Sequence, residues 1–272
     1  AQSLKESLEK NQLEVNLNDL ISKTGPLRQM AVVSQLGTVA AGIMNLFTPI
    51  THLPWVLMAR HEKTGYGEAF NFTEIMTEIA TAASQSVVGA FTGQDDTIRL
   101  KEKLDEAKAG NNTTGLTVAE LEFLYNETLN GELRPQQTYS MTGRHGASPA
   151  DAYIKAASEF LLTPFASAEA ATRRIAALST YRLAKRRMIA AGMTESALDN
   201  VKSDEYKQLK ETVERVIRNS QGDYSNINRP RVFRGDLAQY LLQYTMFPLI
   251  TVMMINNLPV AQKLMVLGVI GL

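Results

Sequence analysis

Residues 166–191, ASAEAATRRIAALSTYRLAKRRMIAA, contain neither glycine nor proline and decide the fold class. Within them Ile175, Leu178 and either Tyr181 or Arg182 follow one another at intervals of three or four residues. This spacing places them on one face of an α-helix, where they can pack against a neighbouring element. Gly192 follows directly and is a natural end for the helix, because glycine tolerates the backbone conformation found just after helix C-termini. The stretch predicts one long helix.

Further helix signals lie on both sides of this stretch. Residues 148–151 (SPAD) combine a capping serine with a proline suited to the first helical position. Residues 117–120 (TVAE) have the spacing of a capping box, and residues 203–219 repeat apolar side chains at helical intervals. No segment shows the sustained alternation of a β-strand. We therefore predict an all-α fold, an elongated multi-helix bundle that contains two long uncharged helical segments.

Glycine, proline, asparagine and threonine gather in a few stretches that are typical of loops. These predicted loops lie near residues 61–72, 92–97, 109–117, 130–148 and 220–235. We place a domain boundary in the fourth loop, with an acidic helical region over residues 1–135 and a basic, then apolar, region over residues 136–272. Because the chain starts without methionine and stops inside an apolar run, we expect it to be a piece of a longer polypeptide.

Charge is distributed unevenly, although 28 Lys and Arg balance 28 Asp and Glu overall. Residues 1–171 hold 13 basic and 20 acidic side chains, whereas residues 172–234 hold 14 basic and 7 acidic ones. Residues 235–272 carry only Asp236 and Lys263. This asymmetry indicates that electrostatic contacts, with a partner or within the chain, matter for this protein.

The basic block on the long helix has two interpretations. Arg173, Arg174, Arg186 and Arg187 are candidates for contacts with an anion, such as a phosphate of nucleic acid or of a lipid headgroup. The alternative is that the block pairs with the acidic N-terminal half. Its members spread around the helix and no aromatic series interleaves with them for base stacking, so we favour the pairing.

Two intervals lack charged residues, residues 29–59 with 31 positions and residues 237–262 with 26 positions. Both exceed the roughly 20 residues that a bilayer-spanning helix needs, but prolines and polar side chains interrupt them. One alternative is that they form helices buried in a bundle or an oligomer interface. The other is that they are latent membrane segments, covered in one assembly and inserted into lipid in another. The candidate membrane or interface residues are Leu46, Phe47, Trp55, Phe247, Met253 and Met254.

Recognisable catalytic motifs are missing from the sequence. The chain has no cysteine, which excludes disulfide bonds, thiol nucleophiles and cysteine-bound zinc. His61-Glu62 lacks the second histidine of a zinc-protease helix, and no nucleophile elbow, phosphate-binding loop or dinucleotide fingerprint occurs. We predict no catalytic, metal-binding or cofactor-binding residues. A helical lytic enzyme that uses one glutamate, Glu159 or Glu169, is the alternative.

Three stretches carry a resemblance to a known family. They are residues 163–184, which include TPF and TRRIAALSTYRLA, residues 223–235 (DYSNINRPRVFRG) and residues 241–248 (LLQYTMFP). Their order resembles a helical region of the large polyvalent proteins of tailed bacteriophages, which include very large internal virion proteins ejected with the genome. The strongest part of the motif is formed by Asn228, Arg229, Pro230, Arg234 and Gly235.

The resemblance implies a non-enzymatic segment of a long virion protein, with any enzymatic module elsewhere in the polypeptide. Such proteins leave the capsid interior, pass the portal and tail, and build a channel for DNA across the host envelope. The implied partners are further copies, other core, portal or tail proteins, the host membrane and non-specific phage DNA. We keep two alternatives, a helical accessory domain of a giant phage enzyme (a virion polymerase or peptidoglycan transglycosylase) and a DNA-binding helical protein.

Overall fold

The computed structural model describes residues 48–59, 71–86, 95–135 and 149–221, and the single positions 252 and 263. Every regular element in this part of the chain is helical, so the all-α prediction is confirmed there. The helices are α1 (Thr48–Ala59), α2 (Phe72–Ser86), α3 (Asp96–Lys108), α4 (Val118–Leu129), α5 (Pro149–Ala190), α6 (Glu195–Leu198) and α7 (Asp204–Gln221).

Helix α5 is 42 residues long and contains most of the stretch that decides the fold class. It begins at Pro149, as the proline signal predicts, and Gly192 follows its end with a φ of +96°. Pro164 lies inside the helix, where it lacks the amide proton for one helical hydrogen bond. Leu162 and Phe165 flank this proline and are buried, so side-chain packing on both sides keeps the helix continuous.

Local capping contacts start the two helices that follow α2. The hydroxyl of Thr117 accepts a hydrogen bond from the Glu120 amide (3.2 Å), and the Glu120 carboxylate accepts one from the Thr117 amide (2.7 Å). This is the capping box that the TVAE spacing predicts. Asp95 caps α3 by accepting a hydrogen bond from the Thr97 amide (2.7 Å), and this bond lowers the pKa of Asp95.

The helices pack around α5, which contacts α1, α2, α4, α6 and α7. Helix α1 also contacts α2 and α7, while α3 packs mainly on α4. One buried apolar cluster unites side chains from both predicted regions of the chain. Its members include Leu53, Ile75, Ile79, Leu100, Leu104, Phe123, Leu124, Leu178, Tyr181, Leu183, Leu209, Val213 and Ile217.

The described part of the first uncharged interval is α1, and its apolar side chains lie in this core. Leu53, Val56 and Leu57 are buried beneath the helices that α1 contacts. Trp55, one of the candidate membrane or interface residues, is also buried, with its ring centroid 6.0 Å from that of Phe72. These positions fit the alternative of a helix buried within a helical fold. Among the described residues, no helix has both the length and the apolar character needed to cross a membrane.

The capping box provides a test of the fold. We expect Thr117→Ala to lower the free energy of unfolding by about 1 kcal/mol, because the Glu120 amide loses its acceptor at the start of α4. Urea denaturation followed by circular dichroism measures this change. Thr113→Ala is the matched control, since Thr113 is exposed in the loop before α4 and should show almost no effect. Equal effects of the two substitutions would contradict the role of the cap.

Candidate functional site

Several ion pairs lie where residues 95–135, here called the acidic hairpin, meet α5 and α7, here called the basic helices. The acidic hairpin comprises α3, α4 and their flanking turns. In four ion pairs across this interface the hairpin supplies the carboxylate and the basic helices supply the cation. The N to O distances are 2.6 Å for Asp96 and Arg174, 2.5 Å for Glu120 and Arg182, 2.5 Å for Glu127 and Lys210, and 2.9 Å for Glu132 and Arg218.

Two of the candidate anion-binding arginines lie in the interior. Arg173 and Arg174 are 1% and 2% exposed. Arg173 lies 3.5 Å from a carboxylate oxygen of Glu169 and donates a hydrogen bond to the backbone carbonyl of Glu132 (3.3 Å). Burial lowers the pKa of Arg174, and the neighbouring Asp96 carboxylate opposes that shift. In this fold both arginines are enclosed, so an external phosphate has no access to them.

The other two candidate arginines lie nearer the surface and pair with α2. An Arg186 nitrogen is 2.9 Å from a Glu78 carboxylate oxygen, and an Arg187 nitrogen is 3.7 Å from a Glu74 oxygen. The side chain of Arg186 remains 52% exposed. Together with the hairpin pairs, these contacts match the interpretation in which the basic block pairs with the acidic N-terminal half of the same chain.

Arg182 connects three helices at the centre of this network. Its Nε lies 2.5 Å from a Glu120 oxygen on α4, and its Nη1 lies 3.8 Å from a Glu78 oxygen on α2. Next to it, the rings of Phe123 and Tyr181 are 4.6 Å apart between centroids. The hairpin is therefore attached by apolar and ionic contacts at the same place.

A second cluster attaches the short helix α6 to α5. Tyr181 donates a hydrogen bond to Asp199 (3.1 Å), and the Lys185 ammonium lies 2.7 Å and 2.9 Å from the two oxygens of the same carboxylate. Glu195 also pairs with Lys185 at 2.9 Å. Burial lowers the pKa of Lys185, but its hydrogen bonds to Asp199 and Glu195 outweigh this and raise the pKa overall. Lys185 is thus held in its charged form as a structural cation.

Glu127 is the most deeply buried carboxylate of the interface, with no exposed surface. Burial raises its pKa, and the hydrogen bond from Lys210 opposes the rise. Its second oxygen, Oε2, has no hydrogen-bond donor among the described residues. A buried carboxylate with a raised pKa is one mark of an acid or base catalyst. Here, however, Lys210 binds it directly and also pairs with Glu214 (3.2 Å), an arrangement that holds α4 against α7.

Several predicted residues lie outside the described part of the chain. They are Leu46, Phe47, Phe247, Met253 and Met254 of the uncharged intervals, and Asn228, Arg229, Pro230, Arg234 and Gly235 of the phage-like motif. Of the two candidate glutamates, Glu159 belongs to α5, and Glu169 is buried beside Arg173. A buried, ion-paired glutamate is poorly placed to protonate a polysaccharide substrate.

The sequence prediction missed Glu127 and Lys210, although a signal for Glu127 was present. Glu127 follows Phe123 and Leu124 at intervals of four and three residues, so it falls on the apolar face of α4. Lys210 is adjacent to the buried Leu209 in a helix with a regular apolar face. A charge on the apolar side of a helix requires a partner when it is buried.

Comparison of the chain with protein-family models, curated proteins and solved structures gives no match. Within the described ranges, no group of three or more histidine and carboxylate side chains is arranged to hold a metal ion. The ion pairs described above join helices of opposite charge, and this is a structural role.

The pair of Glu127 and Lys210 makes a prediction about pH. Because the native pKa of Glu127 is raised above its ordinary value, this carboxyl favours the folded state at low pH and loses that contribution as the pH rises through the native pKa. Lys210→Met removes the compensating cation and raises that pKa further. At neutral pH we expect the free energy of unfolding to fall by about 2–3 kcal/mol, less than for fully buried pairs because the Lys210 side chain is 26% exposed.

The loss in Lys210→Met should diminish as the pH is lowered, which urea denaturation at a series of pH values measures. The double variant Glu127→Gln/Lys210→Met keeps the Glu214 carboxylate but has no ionisable group at position 127, so it should lose most of this pH dependence. Lys207→Met is the surface control, because Lys207 pairs with the exposed Asp204 and its loss should leave stability nearly unchanged. A pH-independent loss in Lys210→Met would refute the buried charge as its cause.

Proposed function

We propose that this chain is a structural helical segment of a long internal virion protein of a tailed bacteriophage. In this proposal the protein is ejected with the genome, and many copies assemble into a channel for DNA across the host envelope. The observation that supports the proposal is that three charged side chains buried in the described part of the chain, Glu127, Arg173 and Arg174, each contact the other side of the interface between the acidic hairpin and the basic helices. The three phage-like stretches, residues 163–184, 223–235 and 241–248, supply the family context.

A helical fold without disulfide bonds suits a protein that must leave a particle through a narrow tail. Helices form within about a microsecond and hold most of their hydrogen bonds inside one segment, so a helical chain regains its structure quickly after being unfolded. No disulfide bond opposes unfolding, because the chain contains no cysteine. Ion pairs between helices re-form whenever the same side chains meet again.

We propose an elongated bundle built on α5. A helix of 42 residues is about 63 Å long, because each residue adds roughly 1.5 Å along the axis. Helix α1 uses residues 53–57 of the first uncharged interval inside the fold. We therefore assign contacts with sister copies or lipid to the remaining candidates of the two intervals, Leu46, Phe47, Phe247, Met253 and Met254.

The proposed partners are further copies of the chain, other core, portal or tail proteins, and the host membrane. The proposed location is the capsid interior and, after ejection, the host envelope. A DNA-binding function has less support, since Arg173 and Arg174 are enclosed while Arg186 and Arg187 are paired with glutamates of α2. Contact with passing DNA is proposed only as non-specific.

Flotation of the full chain with liposomes of phosphatidylethanolamine and phosphatidylglycerol tests this proposal. We expect oligomers by light scattering and protein in the floating fraction, because apolar side chains hidden in one assembly can be buried again in lipid. Dye release from the same vesicles reports a channel. A chain that stays monomeric and aqueous at neutral and acidic pH would overturn the proposal.

A matched pair of variants locates the membrane contact. Met253→Asp/Met254→Asp should reduce flotation at least several-fold, because two carboxylates in a lipid-facing segment are costly to bury. Ile98→Asp is the control, since Ile98 is an exposed apolar residue of α3 outside both uncharged intervals. An equal loss of flotation in both variants would contradict the assignment of the lipid contact to the second uncharged interval.

A further inference from the structure

The interface between the acidic hairpin and the basic helices has two different surfaces of opposite charge. The acidic hairpin carries nine acidic and five basic side chains, whereas α5 and α7 together carry eleven basic and seven acidic ones. All four ion pairs described above join a hairpin carboxylate to a cation of α5 or α7. Because all copies have the same sequence, the hairpin of one copy has the same complementary charges toward the basic helices of another copy as toward its own.

The acidic hairpin also has the internal contacts of a separate unit. Helices α3 and α4 pack on each other, and Lys108 pairs with Glu122 across them at 3.5 Å. In the turn between them, Asn112 donates a hydrogen bond to the Leu116 carbonyl (2.5 Å). The hairpin thus carries contacts that stay with it wherever it docks.

We propose that the acidic hairpin of one copy exchanges onto the basic helices of a second copy, and that this exchange joins the copies of the assembly. The inference rests on the proposed function, since it names the surface and the partner through which the chain assembles. Exchange of an identical element preserves each contact of the interface, including the Phe123–Tyr181 ring contact, and so requires no new complementary surface.

A second copy fits this surface better than a nucleic acid does. A polyanion that displaced the hairpin could pair with Arg182, Lys210 and Arg218, but it would leave the apolar side chains of Phe123 and Leu124 without cover. A hairpin from another copy supplies both the carboxylates and the apolar side chains. The apolar part of the interface therefore favours a second copy of this chain over a nucleic acid as the partner.

Both connections between the acidic hairpin and the rest of the chain are several residues long. Eight residues (87–94) separate the hairpin from α2, and thirteen (136–148) separate it from α5. A chain of eight residues spans at most about 29 Å when extended. Repeated from copy to copy, an interface of two different surfaces closes into a ring or continues as an open filament, and a ring is the geometry of a channel.

Charge reversal at one surface-accessible pair tests the exchange. Glu132→Lys and Arg218→Glu each place like charges against each other inside their own chain. When the two variants are unfolded, mixed in equal amounts and refolded together, exchange of hairpins restores opposite charges at both interfaces of a mixed pair. We expect native mass spectrometry to show mixed two-chain species enriched at least several-fold over those in the control mixture.

The control mixture combines Glu78→Lys with Arg186→Glu. This pair has the same 2.9 Å separation as Glu132 and Arg218, and its side-chain exposures of 16% and 52% resemble their 19% and 45%. It joins α2 to α5, so exchange of the acidic hairpin cannot restore it. Separate single chains in the test mixture, or mixed species to the same extent in the control, would overturn the proposal.

This readout is independent of lipid. If the chain floats with liposomes but the charge-reversed variants never form mixed species, hairpin exchange is wrong and the membrane proposal stands. If mixed species form while the chain stays aqueous, exchange is supported and the channel proposal fails.

Discussion

A buried charge must have a partner of opposite charge or a hydrogen bond, and this constraint determines how the helices of this chain pack. Arg173 and Arg174 occupy the middle of α5, where almost no water reaches them. Removing such ions from water costs several kcal/mol each, and only nearby opposite charges and hydrogen bonds offset the cost. Asp96 therefore has to lie at Arg174, and the Glu132 carbonyl has to lie at Arg173. These contacts fix where the acidic hairpin sits on the basic helices.

Local signals in the sequence were enough to predict much of the secondary structure. The capping box at Thr117, the proline at the start of α5 and Gly192 after its end act within about four residues, so they can be interpreted without a fold. The partner of each charge could not be predicted in this way. Arg182 and Glu120 are 62 positions apart, and Arg218 and Glu132 are 86 apart, so only the tertiary fold brings them together.

The uneven charge of the sequence indicated attraction between two regions but not its depth. An arginine-rich helix has the same composition whether its arginines face water or a core, and only the second case demands fixed carboxylate partners. Arg173 and Arg174 prove to be internal, whereas Arg186 of the same block keeps half of its side chain exposed. Position relative to the apolar face of the helix, as for Glu127, separates these cases better than charge counts do.

Buried charges also make an assembly interface selective. A hairpin attached only through Phe123 and Leu124 could dock on many apolar surfaces, because apolar contact has little directionality. Glu127 changes this, since a hairpin shifted along α7 would bury that carboxylate away from Lys210. An unpaired buried charge costs more than a mismatched apolar contact, so displaced arrangements are rejected. The ion pairs therefore contribute register to the interface between the acidic hairpin and the basic helices, in addition to any stability that they supply.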